Sequence, residues 1–285
     1  MNFKNIFYLL PYSFQKLISK LSYQLYNNME NDFIYNPKIG YKYNLSIKDK
    51  KNIVKRIKES ISKIDSATDI NVHFTLIKKI LELDIKKKAT IVECGVYKGA
   101  TSIALSIAAK ITGRRLILYD SFQGLPDGEK SIPKRYYPYL KVTGSYKKGM
   151  YKGPIEEVKR NLKKFGEIDV CDFRKGYFNK SLKKHREKID FLFLDVDLVS
   201  STKDCILGLW KFLKKGSFCY SDDACDLDVV KVWFDNKWWK KNLKCNAPGY
   251  IGSGCGIPIS FAYSSVGYSI KEANLKKYNR ISWLA

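Results

Sequence analysis

The chain is poor in histidine, the residue that most often moves protons in enzymes. His73 and His185 are the only two among 285 residues. His73 lies in a predicted helix, and His185 lies in a lysine-rich stretch that we expect to be exposed. This scarcity argues against a Ser-His-Asp or Cys-His catalytic site.

Arginine is also scarce, because it accounts for only 8 of the 52 basic residues. The formal net charge of +24 attracts polyanions in general, including nucleic acids and anionic membrane surfaces. Readout of bases and paired contacts to phosphates, however, favour arginine over lysine. Nucleic acid is therefore a partner that we do not expect.

The cysteines and the apolar runs lack the patterns of a disulfide scaffold, a zinc knuckle or a membrane span. The 7 cysteines are odd in number and include no C-x-x-C pair, which fits a protein of the reducing cytoplasm. The apolar run before Pro11 is too short for a signal peptide or a transmembrane helix. We expect the N-terminal aromatic residues to pack on the body or in a homo-oligomer, while weak contact with a membrane surface stays open.

What the sequence does contain is a regular alternation of apolar runs and helical periodicity. Two helices are predicted first, over residues 45–64 and 70–83. Strands are predicted at 90–94, 115–119, 170–173, 191–194 and 218–220. Helices are predicted among them at 101–110, 155–165, 202–213 and 229–239. The pattern predicts an α/β fold with a doubly wound, mostly parallel sheet, in which residues 1–65 form a helical extension and residues 66–285 the main domain.

Acidic residues stand at the end of four of the five predicted strands. They are Glu93, Asp120, Asp195 with Asp197, and Asp222 with Asp223. Ligands of parallel sheets bind beyond the carboxyl ends of the strands. Any one of these carboxylates, taken alone, is better explained as a solvated strand end or a helix cap. Together, however, they predict a shared site.

The first strand leads into the turn "ECGVYKG", which matches neither the dinucleotide fingerprint nor the phosphate loop. Its glycines let the backbone approach a ligand closely, while Glu93 would repel a phosphate. The turn therefore suits a cation, such as the sulfonium and ammonium groups of S-adenosylmethionine. Asp120, at the end of the second strand, is placed to accept hydrogen bonds from the ribose hydroxyls of that molecule.

The fourth and fifth strands end in "LDVD" and "SDDACD". Asp195, Asp222 and Asp223 come from neighbouring strands of the predicted sheet. Three oxygen ligands without histidine or cysteine suit Mg²⁺ rather than zinc. The alternative for the aspartate pair is an ordinary helix N-cap.

These motifs, taken in order, resemble the macrocin O-methyltransferases of the TylF type over roughly residues 70–239. The resemblance is carried by "VECGVYKGATS", "YDSFQGLPD", "PIEEVKRNLKKFGEIDVCDFRKGYFNKSL" and "LDVDLVSSTKD" followed by "SDD". Departures from the family pattern include Tyr97, Lys98, Val196 and Val199, none of which removes a carboxylate. The resemblance implies a Rossmann-like class I methyltransferase fold with a late antiparallel hairpin near the glycine-rich stretch 246–265.

The resemblance also implies roles for individual residues. Asp197 takes the place of the general base, and Asp195, Asp222 and Asp223 take the Mg²⁺-ligand positions; alternatively, Asp197 faces away and caps the next helix. The implied S-adenosylmethionine-binding residues are Glu93, Cys94, Gly95, Tyr97, Thr101, Ser102, Asp120, Ser121, Gly176, Tyr177 and Phe178.

The function implied by the resemblance is Mg²⁺-dependent transfer of a methyl group from S-adenosylmethionine to a hydroxyl of a sugar or glycosylated metabolite. A small-molecule or glycan acceptor is therefore the expected partner. Two alternatives stay open: a nucleic-acid-directed methyltransferase, which the charge favours, and a non-catalytic binding protein with the same fold.

Overall fold

The computed structural model describes residues 29–86, 88–127, 146–254, 256 and 266–275. Residues 29–35 are helical, and two amphipathic helices precede the sheet: α1 (Ile47–Ile61) and α2 (Ile70–Leu81). The start of α1 is fixed by a capping box, in which Ser46 Oγ accepts the Asp49 N–H and the Asp49 carboxylate accepts the Ser46 N–H. Asp69 caps α2 by accepting the Asn71 N–H. Both predicted helices are therefore present, each shorter than its apolar pattern.

Six strands form one sheet in the order β3-β2-β1-β4-β5-β6, and only β6 is antiparallel to its neighbour. Strands β1, β2 and β4 are buried along their whole length, as expected for strands covered on both faces. The predicted mostly parallel α/β fold is confirmed. The strand bounds are β1 (Thr90–Cys94), β2 (Leu116–Asp120), β3 (Cys171–Lys175), β4 (Ile189–Leu194), β5 (Leu213–Ser221) and β6 (Gly267–Ile270).

The remaining helices connect these strands or follow them. The predicted helix 229–239 is wrong, because the chain forms two helices there. Asp226 caps the first, and Asp235 caps the second by accepting the Trp238 N–H at 2.9 Å. The helix bounds are α3 (Ala100–Thr112), α4 (Ile155–Phe165), α5 (Phe178–Ser181), α6 (Val199–Leu209), α7 (Leu227–Val232) and α8 (Asn236–Leu243).

Strand β5 begins five residues earlier than its apolar run indicates. Its first half contains Lys214, Lys215 and Gly216, which hide it from a search for apolar runs, and the pairing with β4 is irregular at this point. β6 supplies the antiparallel strand of the predicted late hairpin, with a single extra bridge between Ile251 and Tyr268. Residues 257–265 of that hairpin lie outside the described residues.

Each face of the sheet is covered by its own apolar core. One core contains α1, α2 and α3 side chains together with Phe33 and Ile34, so the start of the described chain packs on the sheet. The other contains α6, α7 and α8, with Trp233 and Trp239 fully buried. The division at residue 65 stays a prediction, and the N-terminal residues 1–28 lie outside the described part. None of the described helices has the length and apolar content to cross a bilayer.

Candidate active site

A cavity of about 750 Å³ opens at the carboxyl end of the sheet, where β1, β2, β4 and β5 end. This volume is typical of sites for small molecules and cofactors. Nine of the predicted site residues line it: Gly95, Tyr97, Asp120, Ser121, Tyr177, Phe178, Asp195, Asp197 and Asp222. The other six, which do not line it, are Glu93, Cys94, Thr101, Ser102, Gly176 and Asp223.

Gly95, just after β1, allows the ends of β1 and β4 to lie in direct contact. A Cβ at this position would lie 1.7 Å from the backbone oxygen of Asp195, and the backbone adopts a φ of 87°. Only glycine fits this close approach without strain. The Asp195 N–H also donates to the Cys94 carbonyl at 2.9 Å. The glycine turn and the predicted metal-binding strand end therefore form one rigid floor.

Asp120 is held in place by backbone donors from two turns. One carboxylate oxygen accepts the Val96 N–H at 2.7 Å, and the other accepts the Phe122 N–H at 2.6 Å. Burial raises the pKa of Asp120, while these N–H donors act in the opposite direction. A carboxylate has about four lone-pair sites, so it can still accept hydrogen bonds from ligand hydroxyls.

Glu93 lies beneath the cavity instead of at its mouth. Side chains alternate along β1, so Glu93 shares a face with Ile91 and lies in the layer of α3. Neither carboxylate oxygen lies within normal hydrogen-bond distance of a partner among the described residues, although the Ser102 hydroxyl is close enough to lower the pKa of Glu93. Burial raises the pKa of Glu93 to about 8, with a further contribution from the charge of Asp120. The proposed negative charge at the turn is therefore absent at neutral pH, when the carboxyl is protonated.

Thr101 belongs to a buried polar cluster next to the cavity. Its hydroxyl lies 2.6 Å from that of Thr68, and His73 Nε2 lies 2.9 Å from the same Thr68 oxygen. Burial lowers the pKa of His73 to about 4. The cluster links α2 and α3 to residues 65–67, which line the cavity.

Asp65 is a cavity residue that sequence reasoning missed. Its carboxylate accepts a hydrogen bond from the Tyr97 hydroxyl at 2.7 Å and pairs with Lys98 at 3.2 Å. It lies in the connection between α1 and α2, and no strand or motif marks it. The connection between α1 and α2 therefore contributes to the wall of the cavity.

Gly176 and Cys94 support the site from outside its surface. The Gly176 N–H donates to the Asp120 carbonyl at 2.8 Å, which ties the end of β3 to the end of β2. The Cys94 side chain is fully buried in the core on the α6 side.

Four acidic side chains interact where β4 and β5 end. Burial raises the pKa of Asp195 well above its ordinary value, and the charges of Asp222, Asp197 and Asp223 raise it further. Asp195 and Asp222 line the cavity, whereas Asp223 is buried outside it. Across the described ranges, no group of three or more His, Cys, Asp or Glu side chains is arranged to hold a metal.

This donor set nevertheless fits Mg²⁺ with two protein ligands. Mg²⁺ commonly binds one or two carboxylates and completes its shell with water and substrate oxygens. The mutual repulsion around Asp195 is relieved by a divalent cation. Asp195 and Asp222 therefore fit the ion, while the third predicted ligand, Asp223, stays a prediction.

Asp197 lines the cavity with its backbone in the left-handed region, at a φ of 59°. Tyr97 and Tyr151, which also line the cavity, have φ values of 49° and 55°. Positive φ is unfavourable for residues other than glycine and clusters at functional sites. The turn after β4 thus directs Asp197 into the cavity, where the resemblance predicts a base.

The first two turns of α6 add polar groups to the cavity that sequence reasoning also missed. Ser201 and Asp204 line it from α6, and Asn179 lines it from α5. The sequence did contain one signal: Ser201 and Asp204 are three residues apart shortly after the fourth strand, and this spacing places two side chains on the same face of a helix. His185, by contrast, is not exposed as predicted: it is fully buried, with Nδ1 3.0 Å from the Tyr119 hydroxyl.

Comparisons with known proteins identify the family of the chain and structures that are similar to it. The sequence profile of the macrocin-O-methyltransferase (TylF) family matches residues 71–248, more than half of the chain. The solved structure of the O-methyltransferase NovP is 20% identical, with a TM-score of 0.50 over 79% of this chain and 80% of its own. A structure of the calicheamicin methyltransferase CalS11 is 15% identical, with a TM-score of 0.48 over 78% of this chain and 92% of its own. A search of curated proteins finds no match.

Proposed function

The chain belongs to the macrocin O-methyltransferase (TylF) family and is an S-adenosylmethionine-dependent O-methyltransferase, and we propose that its acceptor is a hydroxyl of a sugar or glycosylated metabolite. We also propose that the reaction depends on Mg²⁺. The observation that supports both proposals is the convergence of nine predicted residues, from several separate strand ends, on one cavity.

The donor side of the cavity is formed by the turns after β1 and β2. Gly95 allows the donor to approach the backbone, and Asp120 is oriented by backbone N–H groups to accept the ribose hydroxyls. Ser121 and Tyr97 line the same side. Glu93 and Ser102 lie beneath it, so their contribution is indirect in this proposal.

Asp195 and Asp222 are the proposed ligands of Mg²⁺. When bound, the ion supplies a Lewis acid that lowers the cost of negative charge on the acceptor oxygen. Different side chains serve the two ligands: Asp195 and Asp222, at the ends of β4 and β5, serve the ion, and Asp120, at the end of β2, serves the donor. We therefore expect donor binding without the metal, even though the backbone of Asp195 touches the donor turn at Gly95.

Asp197 is the proposed general base. As the acceptor oxygen forms its bond to the methyl carbon, the carbon–sulfur bond of the donor breaks, and a carboxylate oxygen of Asp197 takes the hydroxyl proton. The products are the methyl ether and neutral S-adenosylhomocysteine. Holding both reactants in line within one cavity is the main contribution of the fold.

The experiment is a methyl-transfer assay with labelled S-adenosylmethionine, Mg²⁺ and a panel of glycosides, read beside calorimetric titration of the donor. Excess EDTA is expected to abolish transfer while donor affinity stays the same. Asp197→Asn is expected to lower turnover by ~10²–10⁴ and to leave donor affinity intact.

Full activity in EDTA would refute the Mg²⁺ proposal. Turnover by the Asp197→Asn protein equal to wild type would refute the assignment of the base. Methylation of oligonucleotides in place of glycosides would favour the nucleic-acid alternative, and a protein that fails to bind S-adenosylmethionine would favour the non-catalytic one.

A further inference from the structure

The described wall of the cavity has a charge opposite to that of the whole protein. The chain carries 52 basic and 28 acidic residues. Among the described residues that line the cavity, however, only Lys180 is basic. Its acidic residues are Asp65, Asp120, Asp127, Asp195, Asp197, Asp204 and Asp222. This reversal disfavours a phosphate in the part of the cavity away from the two carboxylates assigned to Mg²⁺, because a phosphate there would meet further carboxylates.

Several of these carboxylates already have partners or roles. Asp65 pairs with Lys98, and Asp127 pairs with Lys148 at 3.0 Å. Asp120 accepts backbone N–H groups. Asp195, Asp197 and Asp222 form the proposed catalytic group. Asp204 is the one acidic residue of the described wall to which neither a partner nor a role has been assigned.

Asp204 belongs to a set of three polar side chains without internal partners. The side chains of Asp204, Ser201 and Asn179 form no hydrogen bond to any described residue, and the carboxylate of Asp204 is influenced only by the charge of Lys183. Ser201 is only 6% exposed, yet it lines the cavity. Because Ser201 lines the cavity, a bound ligand can reach its hydroxyl and form a hydrogen bond with it.

These groups match the chemistry of a polyhydroxylated ligand. A carboxylate accepts hydrogen bonds from neighbouring hydroxyls, while serine and asparagine both donate and accept. Tyr177 and Phe178, which the resemblance assigns to the donor, line the wall beside Asn179, and any aromatic surface that the donor leaves uncovered suits the C–H faces of a sugar. Helices α5 and α6 pack together, so the three polar groups form one surface.

We propose that Ser201, Asp204 and Asn179 form the acceptor subsite, and that this subsite takes an uncharged sugar with neighbouring hydroxyls in preference to a phosphorylated or nucleotide-linked sugar. The proposal rests on the proposed function, because it assigns the second reactant of the same cavity. It concerns binding, however, and is measured independently of methyl transfer.

The first test is calorimetric titration of the protein loaded with Mg²⁺ and S-adenosylhomocysteine. The probes are matched pairs of hexose and deoxyhexose sugars, each as the methyl glycoside and as the 1-phosphate. At least one methyl glycoside is expected to bind at least tenfold more tightly than its phosphate. Equal or tighter binding of the phosphates, or no binding of any glycoside, would overturn the proposal.

The second test changes the charge of the subsite. Asp204→Asn is expected to weaken binding of the best glycoside by about ten- to a hundredfold, the range for a hydrogen bond to a charged group. Asp204→Lys is expected to shift the preference toward the phosphate. Glu59→Lys makes the same charge change on the exposed surface of α1 and is expected to leave the preference unchanged.

An unchanged preference in Asp204→Lys, or equal shifts in Asp204→Lys and Glu59→Lys, would contradict the subsite. Ser201→Ala provides a variant with little risk to folding, and it is expected to weaken the glycoside while sparing S-adenosylhomocysteine. If glycoside binding follows these expectations but no methyl is transferred, the proposed reaction fails while the subsite stands.

Discussion

The two ends of strand β4 each carry an aspartate, and the two carboxylates have opposite surroundings. Asp190, at the amino end, accepts hydrogen bonds from Arg114 Nε at 2.9 Å, Lys214 Nζ at 2.5 Å and the Ala89 N–H at 2.7 Å. Asp195, at the carboxyl end, forms no ion pair with any described residue and faces three other carboxylates.

This contrast separates a structural charge from a functional one. At the amino end, Arg114 and Lys214 are the counter-ions of Asp190. These ion pairs connect the segment after α3 and the start of β5 to β4. At the carboxyl end, like charges surround Asp195, which has no basic partner among the described residues, and this costs stability unless a ligand supplies positive charge. Unfavourable electrostatics of this kind are a signature of functional sites.

The largest expected effect is on turnover in Asp195→Asn. Loss of a metal ligand removes several kcal/mol of transition-state stabilisation, so turnover should fall by about a thousandfold or more. The unfolding free energy should stay equal or rise, because asparagine resembles the protonated carboxyl that burial and repulsion favour. Methyl-transfer assays and urea unfolding measure the two quantities.

Asp228→Asn, on the exposed surface of α7, is the matched control and should change neither quantity. A loss of stability in Asp195→Asn as large as that in Asp190→Asn would remove the distinction between the two ends.

The second effect concerns stability in Asp190→Asn. Removing this charge leaves Arg114 buried without its counter-ion, since its side chain is 0% exposed. Breaking a buried pair in this way costs about 3–5 kcal/mol of unfolding free energy. Asp172→Asn removes a partner of the more exposed Arg115 and should cost about 1 kcal/mol or less. Equal losses in the two variants would contradict a structural role for the buried cluster.

The third effect tests the donor side. Asp120→Ala should weaken binding of S-adenosylmethionine by about 1.5–3 kcal/mol, the contribution of hydrogen bonds to a charged group. Calorimetry provides the affinity, and circular dichroism checks that the fold is retained, because Asp120 also accepts backbone N–H groups. Unchanged affinity in a folded variant would reject the assignment of Asp120.

The strand-end carboxylates were predictable because parallel strands place their carboxyl ends at one edge. Short apolar runs located β1 and β4, and the acidic residue following each run then had to lie near the others. Asp120, Asp195, Asp197 and Asp222 reach the cavity for this reason alone. Gly95 was predictable from the turn, although its close contact with Asp195 was not.

Residues outside the strand ends were not predictable, since their position depends on tertiary packing. Asp65 reaches the cavity only because α1 and α2 pack on α3. Asp204 reaches it through the packing of α5 against α6. Glu93 illustrates the opposite error: its position at a strand end suggested the cavity, but the alternation of side chains along β1 turns it toward α3.

The smallest effect is a pH dependence of stability that originates at Glu93. Its folded pKa of about 8 lies above its ordinary value of 4.5, so the folded state holds a proton that the unfolded state releases. The contribution of Glu93 to the unfolding free energy therefore falls as pH rises from 4.5 to about 8, by up to about 1.4 kcal/mol per pH unit. Above that range the contribution levels off. His73 has a lowered pKa, so below its ordinary pKa of 6.5 its contribution to the unfolding free energy rises with pH and opposes that of Glu93. The effect of Glu93 is therefore clearest between pH 6.5 and 8. Urea unfolding across that range should show a downward slope in the wild type that Glu93→Gln makes shallower, because the raised pKa of Asp195 acts in the same direction; the same slope in both proteins would mean that Glu93 is already ionised beneath the cavity.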